Sequence, residues 1–316
     1  MRHLFVMDPL DAINVQGDST FVTMRECTDR GRPLAFCTPD DLFVVDGVAF
    51  ARCTPLTVHA DAPYFRCEAP GDEPLSAFAV VWMRKDPPFD MAYVLATYVL
   101  DLAPKTTLVV NDPIGLKCWN EKLFAMRFPE FHPHVLLSKD KVRLRQFIQD
   151  EPGKTVLKPW DGNGGRGVIV VENGDRNLPS LIELMTANGR EFVLAQRYVP
   201  GITRGDKRIL LFEGEPVACV LRVPSDTDHR GNIHVGARVE ACELTARERE
   251  ICSALGPKLR ERGLVFVGID VIDGFLTEIN VTSPTGLQEA NRLYGIKLEA
   301  SLVDLVEAKA RRVGTA

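Results

Sequence analysis

Over its first third this chain alternates short apolar runs with amphipathic stretches, and no other feature restricts its fold as strongly. Runs at residues 3–7, 34–37, 78–83 and 108–110 have strand length, while 19–30 and 91–101 carry helical periodicity. Strand and helix in alternation favour a parallel sheet covered by helices, because parallel neighbours need crossover connections. Near Asn120 the pattern changes. Helices expected at 121–128 and 139–148 lead to a strand at 156–158, the glycine-rich "DGNGGRG" at 161–167, and strands at 168–171 and 192–195, an α+β arrangement. From 201 onward, strands at 208–212 and 218–222 are joined by "EGEP" and followed by the polar loop "PSDTDHRGNIHVGA" at 224–237. Thr245 and Glu248 form a capping box for a helix whose Ile251, Leu255 and Leu259 share a face, and Pro257 is expected to kink it. A last helix starts near 297. The expected division is 1–120, 121–200 and 201–316.

At 316 residues the chain can bury two or three cores without metal or disulfide staples. A net charge of -5 argues against a nucleic-acid partner, since phosphate neutralisation needs a basic face. The eight cysteines (27, 37, 53, 67, 118, 219, 242, 252) include no C-x-x-C pair and no zinc spacing, so they read as reduced thiols. The opening "MRHLFVMDP" is too short an apolar run for a signal peptide, and no segment reaches the roughly 18 apolar residues of a membrane helix. The expected location is the cytoplasm, with no membrane partner.

The stretch "FVGIDVIDGFLTEINVTSPT" at 266–285 reads as a hairpin holding Asp270, Glu278 and Asn280. Glu278 and Asn280 share a face by strand alternation. A two-residue Asp273-Gly274 turn would pair 272 with 275 and put Asp270 on the other face, whereas a three-residue loop, or a bulge with the glycine in the left-handed region, would align all three. Aligned, two carboxylates and an amide oxygen suit Mg2+; otherwise the hairpin is an edge with polar residues in solvent.

"LKPWDGNGGRG" sets Lys158 at a strand end beside glycines that let backbone N–H groups approach phosphate, or that merely form a flexible turn. Arg208, Arg222, Arg230 and Arg238 follow, on strands and the long loop. Converging, they would clamp carboxylates or a transferring phosphoryl group; dispersed, they are surface arginines. "RKDPPFD" at 84–90 ends a strand where an α/β sheet presents its ligand face.

Taken in order, "MRKDPPFD", "NEKLF", "LKPWDGNGG", "GDKRIL", "RGN" and "GIDVIDGFLTEINVTSPTG" make the chain resemble the bacterial glutathione synthetases of the ATP-grasp superfamily over its whole length. The resemblance implies an N-terminal parallel-sheet α/β substrate domain, a central ATP-grasp lid and a C-terminal catalytic domain, with ATP between the last two. It implies Asp270, Glu278 and Asn280 as ligands of Mg2+ or Mn2+. Lys122 and Lys158 would meet ATP phosphates under a loop of Gly162, Gly164, Gly165 and Gly167. Gln196, Tyr198 and Val199 would line the adenine pocket, mainly through backbone groups. Arg84, Arg208, Arg222 and Arg230, with Ser283, Pro284 and Thr285, would hold the dipeptide γ-glutamylcysteine and the developing charge, glycine being the second substrate. Arg208 and Arg222 would be catalytic, Arg222 stabilising a tetrahedral intermediate. The family is usually homotetrameric. Trp160, Asn163 and Gln288 depart from the family's usual residues.

Such chemistry suits the residue types present. A carboxylate must be activated before an amine displaces its oxygen, and phosphoryl transfer needs positioning and charge neutralisation more than a protein nucleophile. No Ser-His-Asp or Cys-His arrangement is evident, and no base for the glycine amine is identified. The glycine loop and residues 224–237 are the expected lids. Another ATP-grasp carboxylate-amine ligase would share the metal and nucleotide residues without needing "RKDPPFD". A non-catalytic ATP-binding protein on the same scaffold would not need the full acidic set.

Overall fold

The computed structural model describes residues 1–162, 164–224 and 238–314. Its first eight strands are β1 (His3–Val6), β2 (Leu34–Cys37), β3 (Leu42–Val45), β4 (Val48–Val58), β5 (Phe65–Cys67), β6 (Gly71–Pro74), β7 (Val80–Met83) and β8 (Leu108–Val110). β1 lies parallel between β2 and β7, and β7 pairs in parallel with β8. Every residue of β1 and β7 is buried, as in parallel strands covered on both faces. The flanking helices Ser19–Asp29 and Met91–Asp101 start where Asp18 and Asp90 accept the N–H of Phe21 and Tyr93 at 2.7 and 2.9 Å. The sheet is not purely parallel. β4 runs antiparallel to β2, β3, β5 and β6, an arm that the sequence reading passed over. The apolar runs at 42–45 and 48–51, joined by Asp46 and Gly47, were a hairpin signal that went unread, and only the second half of β4, interrupted by a proline, lacks such a run.

The second sheet contains β9 (Val135–Ser138), β10 (Thr155–Pro159), β11 (Ile169–Val171) and β12 (Val193–Arg197), antiparallel in the order β11-β10-β12-β9. Helices Lys141–Asp150 and Leu178–Met185 cover it, and Leu144, Ile148, Leu157, Ile182 and Ala195 form a core of its own. Residues 121–128 do not make the expected α-helix. Asn120 Oδ1 captures the N–H groups of Lys122 and Leu123, and the Glu121 carbonyl accepts Ile279 N–H at 2.8 Å. What remains is a short 3-10 turn at Phe124–Arg127.

The third sheet has β13 (Asp206–Phe212), β14 (Glu215–Val223), β15 (Arg238–Ala241), β16 (Phe266–Ile272) and β17 (Phe275–Asn280), in the order β15-β14-β13-β16-β17. Helix Ala246–Glu261 begins at the expected capping box and continues past Pro257. Helices Leu287–Tyr294 and Leu298–Gly314 complete the described chain.

The first and third sheets share one apolar cluster, in which Leu4 and Val81 join Ile209, Leu255, Val267 and Ile279. Buried Asn111 ties them further. Its Nδ2 donates to the carbonyls of Phe266 and Val281 at 2.8 and 2.7 Å, and its Oδ1 accepts the N–H groups of Val265 and Phe266 at 2.8 and 2.9 Å. A cleft bounded by the second and third sheets holds the candidate site.

Candidate active site

The hairpin of β16 and β17 resolves the question of facing. Asp273 and Gly274, at φ 51° and 79°, make a tight two-residue turn that pairs Ile272 with Phe275 and Val271 with Leu276. Thr277 is then an extra residue, and beyond it Asp270 pairs with Glu278 and Gly268 with Asn280. The short turn and a bulge are therefore both present, with the bulge at Thr277 rather than at the glycine. Asp270, Glu278 and Asn280 share one face. A Cβ on Gly268 would lie 3.0 Å from Arg208 Cδ and 3.2 Å from Pro284 Cβ, so glycine there makes room for both.

Strand register collects four charges beside this face. Arg208 on β13 pairs with Asp270, and its Nε and Nη2 donate to Asp270 Oδ1 and Oδ2 at 2.5 and 2.9 Å. Arg222 on β14 pairs with Asp206, and its Nη2 lies 2.5 Å from Asp206 Oδ1 and 3.0 Å from Asp270 Oδ1. Burial works against the Asp270 carboxylate, but the two guanidiniums overcome it and hold its pKa well below the usual range. Burial raises the Asp206 pKa above the usual carboxylate range against the pull of Arg222. Asn280 Nδ2 also donates to Asp270 Oδ2 at 3.2 Å.

Lys122 and Lys158 are buried with their Nζ atoms 3.6 and 3.9 Å from one oxygen, Glu278 Oε1. Burial brings Lys158 down to about 8; Glu278 opposes that shift, while Lys122 adds to it. Two buried cations facing one carboxylate leave positive charge for an anion. Lys122 also donates to the carbonyl of Gly162 in the glycine loop. Gly164, Gly165 and Gly167 adopt φ 62°, 74° and 70°, a run of left-handed residues that side chains with a Cβ disfavour. Gln196, Tyr198 and Val199 line the same cleft. The buried Gln196 Oε1 has no hydrogen-bond partner among the described residues, leaving an acceptor for a ligand donor. Tyr198 N–H is already committed to Lys154 O at 2.9 Å.

A second cavity adjoins the first, sharing Glu278 and Gly164 on its wall. Arg208, Arg222, Asn280, Ser283, Pro284 and Thr285 line it. Arg84 stands behind that loop, donating through Nη2 to Pro284 O at 2.9 Å and through Nε to Thr20 Oγ1 at 3.0 Å, and it borders a neighbouring hollow that also reaches Thr285. Arg238 is outside the site, exposed and 2.5 Å from Glu240. Arg230, Asn163 and residues 225–237 of the expected lid lie outside the described residues. Gln288 Nε2 donates to the carbonyls of Val15 and Asp18 at 3.0 and 2.8 Å, fastening the N-terminal segment.

Sequence reasoning missed Glu121 and Asp206. Glu121 Oε1 accepts Val281 N–H, Thr282 N–H and Thr282 Oγ1–H at 3.2, 3.3 and 2.8 Å, and burial raises its pKa although Lys122 opposes this. Glu121 also lines the second cavity. Its only sequence signal was adjacency to Lys122.

The fold is that of ATP-grasp ligases. D-cycloserine synthetase DcsG aligns with a TM-score of 0.68 at 15% identity, covering 98% of this chain and 99% of that one. The ATP-grasp ligase PsnB complexed with minimal precursor aligns at 0.62 and 18% identity, covering 97% and 99%. Within that class the assignment is narrower. Residues 1–117 match the prokaryotic glutathione synthetase N-terminal domain, and 121–295 match the ATP-grasp domain of the same family. Glutathione synthetase of Brucella melitensis biotype 1 is 45% identical over 96% of this chain and 97% of its own length. That of Thermosynechococcus vestitus is 43% identical over 93% and 96%. The chain belongs to the prokaryotic glutathione synthetase family, whose members are ATP-dependent ligases.

Proposed function

We propose that this chain joins γ-glutamylcysteine to glycine at the expense of ATP, giving glutathione, ADP and phosphate. The observation that carries the reading is the meeting of two cavities at Glu278, one rich in lysine and glycine, the other in paired arginines. Family membership supports the choice of substrates.

In this reading Lys122, Lys158 and the loop N–H groups hold the ATP phosphates, while Gln196 Oε1 receives the adenine amine. The cysteinyl carboxylate, aligned by Arg208 and Arg222 with Ser283 and Thr285, attacks the γ-phosphorus, and the bond to the β-phosphate oxygen breaks to release ADP. The glycine ammonium gives up a proton to water, the free amine attacks the acyl carbon, and the second N–H proton leaves with the departing phosphate. Arg222 faces the oxyanion that forms, and the C–O bond to phosphate breaks. Glu121, which lines the second cavity and is held through Oε1 by Val281 and Thr282, receives the glycine ammonium. Arg84 holds the 283–285 loop in place from behind.

The donor set fits a hard divalent cation. Glu278 and Asn280 offer oxygens on the Asp270 face, and turning the Asn280 amide would release one Asp270 lone pair now taken by Nδ2. Among the described residues no third His, Cys, Asp or Glu joins them, so phosphate oxygens complete the set. Bound there, Mg2+ or Mn2+ would neutralise the phosphate charge.

Three units, 1–120, 121–200 and 201–316, each hold one sheet, and the separate core of the second suits it to act as the lid. Met91, Leu95, Tyr98 and Leu102, exposed along one helix face, offer an apolar surface through which copies of the chain would associate, and the homotetramer itself rests on the family resemblance. Among the described residues no helix is long and apolar enough to cross a membrane, and ATP and reduced thiols point to the cytoplasm.

The route is tested by labelling the cysteinyl carboxylate of γ-glutamylcysteine with 18O. Passage through an acyl phosphate delivers one label to the released phosphate, whereas unlabelled phosphate during turnover overturns it.

A further inference from the structure

On the far side of the third sheet, two thiols that the proposed reaction does not use stand in contact. Cys219 on β14 and Cys242, the first residue past β15, have sulfurs 3.3 Å apart. The ladder pairs Val220 with Ala241, so the two cysteines are the next opposed positions. There the strands open, and the Tyr294 hydroxyl enters, accepting Cys242 N–H at 2.9 Å and lying 2.7 and 2.8 Å from the carbonyls of Cys219 and Cys242. Opposed cysteines with touching sulfurs need little backbone movement to reach bonding distance.

We propose that Cys219 and Cys242 form a reversible intrachain disulfide by exchange with a low-molecular-weight disulfide. Cys242 is the half-buried residue of the two and Cys219 the buried one, so we assign the first attack to Cys242. Cys242 passes its proton across the 3.3 Å contact to Cys219 and attacks one sulfur of the small disulfide, breaking its S–S bond, and the thiolate released takes that proton from Cys219. The Cys219 thiolate then attacks the Cys242 sulfur, displacing the second thiolate. The protein loses two electrons and two protons, and the small disulfide is reduced to two thiols, so the exchange balances.

The surroundings favour the resolving step. The hydrogen bond from Cys242 lowers the Cys219 thiol against its burial, with the Lys207 ammonium assisting, and raises Cys242, so the pair shares one readily lost proton. The other described cysteines have no such neighbour. Cys27, Cys37, Cys53 and Cys252 are raised, chiefly by burial, and Cys67 and Cys118 stand apart on the surface. Alternation along β14 puts Cys219 on the sheet face opposite Arg222, so the exchange is separate from the ligase site whichever substrates that site takes.

The test equilibrates the full chain with graded ratios of glutathione disulfide to glutathione, blocks free thiols in acid, and maps peptides by mass spectrometry. A linked 219–242 peptide should rise with the ratio, become the main form of that pair, and vanish on adding dithiothreitol. Cys219→Ser should instead trap a one-thiol adduct on Cys242, while Cys242→Ser should leave Cys219 free at every ratio. Matching circular dichroism and thermal unfolding establishes that both variants are folded. Separate alkylation of both cysteines in the unsubstituted chain at all ratios would overturn the proposal. So would a stable adduct on Cys242 that Cys219 never resolves.

Discussion

Lys158→Met should stabilise the protein and weaken its hold on ATP, opposite effects from one side chain. In the folded chain the amine titrates near 8 because burial disfavours its charge, against 10.5 in the open chain. At about 1.36 kcal/mol for each tenfold difference, carrying that charge into the cleft costs about 3 kcal/mol at pH 7. Methionine has similar reach and no charge, so it removes the penalty. The pH sign follows from proton counting. Between pH 8 and 10.5 the unfolded chain binds more protons at this position, so unsubstituted stability rises with pH through that window while the variant lacks the contribution. The gap in urea-unfolding free energy should be about 3 kcal/mol at pH 7 and narrow by about 2 kcal/mol at pH 9.5. ATP affinity, followed by calorimetry, should fall roughly 10- to 100-fold, the worth of one charged hydrogen bond. A variant less stable than the parent at pH 7, or one that binds ATP equally well, refutes the reasoning.

Three further substitutions separate structural from chemical roles. Asp270→Ala leaves Arg208 and Arg222 facing each other without their shared carboxylate, so unfolding experiments should show a loss of about 3–5 kcal/mol. Glu278→Gln, whose carboxylate is partly exposed, should cut ADP release at least about 100-fold while thermal unfolding stays near that of the parent. Glu121→Gln should raise the KM for glycine about tenfold, the scale of one weakened ionic contact, and leave the KM for ATP unchanged in steady-state assays.

Motif chemistry was more legible in the sequence than the geometry that delivers it. The parallel centre of the first sheet could be read because residues 4–6 and 80–83 are unbroken apolar runs, whereas the β3–β4 hairpin, although residues 42–51 carry its runs and turn, gives no sign that β4 also pairs with β2, β5 and β6. Asp270, Glu278 and Asn280 were visible as residue types. Their common face was not, because it depends on a bulge at Thr277 that no composition signal marks. Arg208 and Arg222 could be named, but their partners Asp270 and Asp206 follow from strand register. Asn111 shows the limit most plainly. A lone asparagine after an apolar run gives no hint that four backbone groups of distant strands converge on it.

The most direct test of the proposed activity is ADP release by the purified chain with ATP and Mg2+, adding γ-glutamylcysteine and glycine singly and then together, with the product weighed by mass spectrometry. Release that requires both substrates and yields a product of glutathione mass is the expected result. Tight ATP binding with no ADP release when both are present, or release indifferent to either substrate, would contradict it.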